Sequence, residues 1–125
     1  MLTLEWDGAR RNCLKLGGDL VKINTAAENQ FILNLIIKQV SKVTRSGAWL
    51  GLHIKEDSKF YWTDDTLLSG YNAWIPGEPN NPSGEKCSNI VGLGSLRGKW
   101  NDRPCKTKKR DITHAPVILC ERKSN

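Results

Sequence analysis

The sequence predicts an α+β domain. Two amphipathic helical patterns fill the N-terminal third, short aromatic-rich runs divided by polar turns take over from Gly47, and four cysteines are spread along the chain. At 125 residues, with no internal repeat or linker, the chain is long enough for one core and short of two, so residues 1–125 read as a single domain. In the first helical pattern Trp6, Ala9, Cys13 and Leu16 recur at three- and four-residue steps, carrying Cys13 inward, and Gly17-Gly18 follows as a C-cap. The second begins at "TAAE", where Thr25 caps and Glu28 reaches back, and its apolar face is predicted as Phe31, Ile32, Leu35, Ile36 and Val40. The runs "AWLGL", "FYWTD", "CSNIV", "KWN" and "PVILC" read as strands of a mostly antiparallel sheet, with Trp49, Trp62, Trp74 and Trp100 as core and loop anchors.

Composition removes several classes of function. The longest apolar run, "FILNLII" at 31–37, is interrupted by Asn34, so no membrane insertion is expected, and the opening "MLTLEW" lacks the basic and apolar regions of a secretory signal. Lysine and arginine outnumber acids 19 to 13, a formal charge of +6, which favours acidic partners such as sulfated glycans. The basic clusters at 10–11, 106–110 and 122–123 surround no nucleic-acid motif, and no nucleic-acid partner is expected. Cys13, Cys87, Cys105 and Cys120 have neither CxxC nor zinc-type spacing. Of the three possible disulfide pairings, Cys13–Cys120 with Cys87–Cys105 is favoured, each stabilising by about 3 to 5 kcal/mol. Such bonds place the chain in an oxidising, extracellular setting.

The chemistry lies in two segments. "WIPGEPNNPSGEKC" at 74–87 is too rich in proline and glycine for a helix or central strand, and taken alone it is a solvated turn with incidental acids. Downstream, "KWNDRPC" at 99–105 sets Asn101 beside Asp102, and a Cys87–Cys105 bridge would hold the two segments together. Glu78, Asn80, Glu85, Asn101 and Asp102 are then five hard oxygen donors, three of them anionic, a set that suits Ca²⁺ with its six to eight oxygen ligands. Two neighbouring sugar hydroxyls could complete the shell while bonding to the same side chains, since a glutamate accepts and an asparagine amide donates.

These motifs, "WLGL" at 49–52, "GEPNN" at 77–81, "EKC" at 85–87 and "WND" at 100–102, in this order with four cysteines, resemble a C-type lectin domain over nearly the whole chain. The resemblance implies a C-type lectin fold, two helices flanking mostly antiparallel strands with a long calcium-binding loop. It also implies a principal calcium site at Glu78, Asn80, Glu85, Asn101 and Asp102, with Pro79 in cis. EPN accompanies mannose, fucose and N-acetylglucosamine type sugars, whereas QPD accompanies galactose. Three departures stand out. Ile54 and Lys86 occupy positions where an auxiliary calcium site takes acids, with Glu56 or Asp57 as substitutes, so one principal ion is expected. The usual strand ahead of the first helix is missing, as in a truncated domain. The segment from Cys105 to Cys120 is long and basic.

The expected function is therefore calcium-dependent binding of mannose-type glycans or glycoproteins by the five donors, with Arg103 beside the sugar. The alternative is a protein-binding or sulfated-glycan (polyanion) module on the same fold, using Arg103 and the Lys106–Arg110 cluster. No enzyme is expected: His53 and His114 lack a nucleophile partner, and the loop acids are better used as ligands.

Overall fold

The computed structural model describes residues 5–39, 45–80, 84–107 and 115–122. Helix α1, Trp6–Lys15, buries Trp6, Ala9 and Cys13, as their spacing requires. Trp6 Nε1 donates to the Leu50 carbonyl at 2.7 Å, fixing the helix on the strands behind it. Leu16, expected inward, is 72% exposed. The helix has ended there, and the Leu16 N–H bonds to the Asn12 and Cys13 carbonyls. Gly17 then takes a φ of 87°, the left-handed conformation open to glycine, and turns the chain. It leads directly into strand β1, Gly18–Leu20, which the sequence did not reveal. β1 pairs antiparallel with β7, Cys120–Arg122, and the Cys13–Cys120 disulfide closes the same junction across a separation of 107 residues.

Helix α2, Ala26–Gln39, starts as predicted, with the Thr25 hydroxyl accepting the Glu28 N–H at 3.1 Å. The return arm of the cap differs: Glu28 accepts from the Asn24 N–H at 2.6 Å rather than from Thr25. The buried face differs as well. Leu33 and Ile36 are buried, whereas Phe31 is 64% exposed and Leu35 only partly covered. Asn29 sets this rotation. Its Nδ2 donates to the Gly98 carbonyl and its Oδ1 accepts from Trp100 Nε1, both at 2.8 Å. Val40 lies outside the described residues.

Strands β2 (Ala48–Trp49), β5 (Cys87–Ile90) and β6 (Trp100–Arg103) form an antiparallel sheet in the order β2-β5-β6, while β3 (Leu52–Ile54) and β4 (Phe60–Trp62) make a hairpin. The run expected as one strand at 48–52 is split between these sheets because Gly51 passes against the β1 end. A Cβ on Gly51 would lie 2.9 Å from the Leu20 carbonyl oxygen, and its N–H donates to Val21. "PVILC" is mostly not a strand; Val117 makes an isolated bridge to Ala48, and β7 begins where that run ends. Trp49, Trp62 and Trp100 are buried in the core, and Trp74 packs against it, as expected of anchors. Burying each such side chain is worth about 1.5–3 kcal/mol.

Candidate functional site

The loop after β4 is tied to β6 before it reaches its polar residues. Trp100 N–H donates to the Ala73 carbonyl at 2.7 Å and Ile75 N–H to the Trp100 carbonyl at 2.9 Å. Trp74 meets Phe60 and Trp100 edge-on, with ring centroids 5.0 and 5.9 Å apart. From that anchor the chain makes a tight turn, Glu78 N–H donating to the Ile75 carbonyl at 2.8 Å. The Glu78–Pro79 peptide is cis, as the resemblance implies. The Asn80 N–H then donates to Asp102 Oδ2 at 3.1 Å, which fastens the loop to β6. The Cys87–Cys105 disulfide, with Cα atoms 5.0 Å apart, holds the far end. Both disulfides are those favoured from the sequence, and the described residues include no free cysteine.

Alternation along β6 decides where its side chains go. Trp100 and Asp102 are fully buried, with Asp102 opposite Ser88 in β5. Asn101 and Arg103, on the other face, line an open cleft of about 290 Å³. Glu78 and Glu85 gather on Asp102. Glu78 has its pKa raised, first by burial and then by Asp102 and Glu85. Glu85 is raised by burial and by Asp102, against an opposing pull from Arg103. Glu78, Asn80, Glu85 and Asp102 are thus brought together, while no hydrogen bond joins Asn101 to them among the described residues.

The donor chemistry fits calcium. Glu78 Oε1 is buried and accepts no hydrogen bond from the described residues, an arrangement that is costly unless a cation or donor meets it. Asp102 also raises the pKa of both Glu78 and Glu85, so a divalent cation would relieve both penalties. Among the described residues no group of three or more His, Cys, Asp or Glu side chains is gathered closely enough to hold a metal alone.

At the auxiliary position Ile54 N–H donates to the Lys86 carbonyl at 2.8 Å, which sets an apolar and a cationic residue side by side where acids would be needed. Asp57 is engaged by the Tyr61 hydroxyl and the Lys59 N–H, and Glu56 is exposed. Arg103 continues β6 as expected, with its guanidinium 5.2 Å from the Trp49 ring and donating to Thr107 at 3.3 Å. Lys108, Lys109, Arg110 and His114 lie outside the described residues. His53 stacks on Trp6 at 4.6 Å, and burial lowers its pKa, which marks it as a packing residue. The sequence did not single out Arg45 or Asn89, which share the cleft with Asn101. A lone asparagine inside the apolar run "CSNIV" was the available signal for Asn89.

The chain belongs to the C-type lectin domain family, whose family model, described as Lectin C-type domain, matches residues 2–112. It is 32% identical over 103 residues to a perlucin-like protein of Mytilus galloprovincialis, covering 82% of this chain and 64% of that one. It is 40% identical over 103 residues to the mouse (Mus musculus) C-type mannose receptor 2, covering 80% of this chain and 6% of the receptor. The chain thus spans less than two thirds of either relative. Among solved structures, the cow carbohydrate-recognition domain of CD23, determined in the presence of a GlcNAc2Man3 oligosaccharide, superposes with a TM-score of 0.66 at 34% identity over 82% of this chain and 72% of that one. A calcium-independent type II antifreeze protein superposes with a TM-score of 0.69 at 26% identity, covering 85% of this chain and 74% of that one. Domains of this family are generally non-enzymatic carbohydrate binders, and the α+β architecture is the family's own. Among the described residues no helix is long and apolar enough to cross a membrane.

Proposed function

We propose that residues 1–125 form one carbohydrate-recognition domain that binds mannose, fucose or N-acetylglucosamine type sugars through one calcium ion, outside the cell. The observation that carries this reading is the buried Glu78 Oε1, which accepts no hydrogen bond from the described residues, beside Asp102 in a loop fastened to β6 through Asn80. Glu78, Asn80, Glu85, Asn101 and Asp102 would hold the ion, and Arg103 flanks them. Calcium, when bound, supplies direct coordination to two neighbouring sugar hydroxyls. Glu78 accepts from one hydroxyl while the Asn80 amide donates to the other, and this order suits the mannose type. The two disulfides suit an extracellular setting.

Competition on a mannose-bearing resin tests the reading. Free mannose should displace the protein better than galactose, and EDTA should release it. Glu78→Gln with Asn80→Asp exchanges acceptor and donor while keeping an oxygen at both positions, so the preference should turn towards galactose. Retention in EDTA, or equal competition by both sugars, would remove the sugar-specific reading.

A further inference from the structure

The cleft beside the candidate site has a chemistry that the calcium site does not use. Arg103 is not part of it: its guanidinium lies against Trp49, donates to Thr107 and acts on Glu85, so its charge belongs with the site already described. What is left is polar and neutral at the floor and apolar at the wall. Asn89 and Asn101 stand opposite each other in the β5–β6 register, and both line the cleft. Asn89, 3% exposed, donates from its Nδ2 to the Ser46 carbonyl at 2.8 Å. Its Oδ1 is buried and accepts no hydrogen bond from the described residues. A polar atom left so is the exception in folded proteins and asks for a donor. Val91 and Leu96 form the apolar wall, and Arg45 runs along the rim, its Nη2 3.9 Å from where a Cβ on Gly94 would stand.

One small group answers floor, rim and wall together: an acetamide. Its N–H can donate to the Asn89 oxygen, its carbonyl can accept from the Arg45 guanidinium, and its methyl can pack on Val91 and Leu96. A plain hydroxyl supplies the donor and leaves the apolar wall without a partner. A carboxylate or sulfate is worse, because it sets acceptor against acceptor at Asn89. The cleft of about 290 Å³ is at the small end of ligand pockets, enough for one sugar unit. Asn101 belongs to both the donor set and the cleft floor, so a unit in the cleft adjoins one held at the calcium site. That position favours an acetamido sugar over a peptide, whose backbone offers the same amide. We infer that this cleft is a second subsite that takes an N-acetylhexosamine by its acetamido group, linked to the calcium-held sugar; the linkage rests on the proposed function, whereas the cleft's own hold on the acetamido group does not.

Titration calorimetry in calcium with three mannose-terminated disaccharides tests it, the second unit being glucose, N-acetylglucosamine or glucuronate. The N-acetylglucosamine form should bind about tenfold tighter than the glucose form, the scale of one hydrogen bond and one buried methyl, and the glucuronate form should gain nothing. Asn89→Leu, which removes the acceptor at similar volume, should erase that advantage. Leu96→Asn, at a side chain 43% exposed and so without risk to the fold, should cut it to about threefold, and both should leave the glucose form unchanged. Equal affinities for the glucose and N-acetylglucosamine forms, a tighter glucuronate form, or an advantage that survives both substitutions would overturn the subsite while leaving mannose binding intact. If no disaccharide binds in calcium, the proposed function fails instead, and NMR in EDTA then decides the cleft: free N-acetylglucosamine should move the Asn89 and Arg45 signals, and glucose should not. No movement with either sugar, equal movement with both, or equal movement with N-acetylalanine methylamide overturns it, the last because the cleft would then take a peptide.

Discussion

The acids of the two ends of the molecule are treated in opposite ways. Around α1, β1 and the β3–β4 hairpin three aspartates meet a cation. Asp19 pairs with Arg10 at 3.2 Å, Asp64 with Lys22 at 2.7 Å and Asp65 with Lys55 at 2.5 Å. Lys22 first, then the Thr66 hydroxyl, lowers the Asp64 pKa to about 2. At the loop end Glu78, Glu85 and Asp102 crowd one another, and Glu78 and Glu85 are raised. Paired acids hold a fold together. Glutamates raised by a neighbouring carboxylate weaken it, and their retention at one spot points to a cation from outside the chain.

The contrast breaks most readily at Asp102. Asp102→Asn keeps the shape and removes a charge, and it should weaken calcium binding by at least about a hundredfold in calorimetry, whereas Asp64→Asn should leave calcium affinity unchanged. Equal effects of the two would erase the distinction. Next in size, calcium at about 100 times its Kd should stabilise the protein by about 2.7 kcal/mol, raising Tm by roughly 10 °C, and this gain should vanish in Asp102→Asn.

A subtler test is of sign, with thermal melts in EDTA. Glu78 and Glu85 have folded pKa values above 4.5, so their contribution is fully present below pH 4.5 and is lost as pH rises through the folded values. Asp64 is the reverse: its contribution is present above pH 3.8 and is lost as pH falls through about 2. Glu78→Gln should therefore raise stability at neutral pH without calcium, and Asp64→Asn should lower it by less than about 1 kcal/mol, since that pair is half exposed. Two changes of the same sign would contradict the contrast. Smallest of all is Lys106→Ala, which deletes a 3.9 Å contact to Glu5 from a side chain 79% exposed; it should move stability by less than about 0.5 kcal/mol.

Local signals were legible where the chain itself encodes the outcome. Thr25 and Glu28 marked the start of α2, the order of motifs marked the family, and the cysteine positions were read as the two disulfides that form. What remained hidden depends on distant partners. β1 is a strand only because residues 120–122 return to it. Phe31 faces out and Leu33 in because Asn29 is fixed by Gly98 and Trp100, about 70 positions away, and no helical wheel contains that constraint. In the site, "WND" suggested two side chains acting together, yet strand alternation sends neighbours to opposite faces, so Asn101 joined Arg103 at the cleft. Arg45, three residues ahead of β2, had no local mark.

Trp100 also makes the molecule its own optical gauge. Its indole meets Trp62, Tyr71 and Trp74 edge-on at centroid distances of 5.7, 5.9 and 5.9 Å, while its backbone binds both Ala73 and Ile75. Chromophores locked so closely in fixed mutual orientation couple their transitions. The near-ultraviolet dichroism of this protein therefore reads the docking of the loop onto β6, one residue from Asn101, and reads it in the untouched chain, with no label attached.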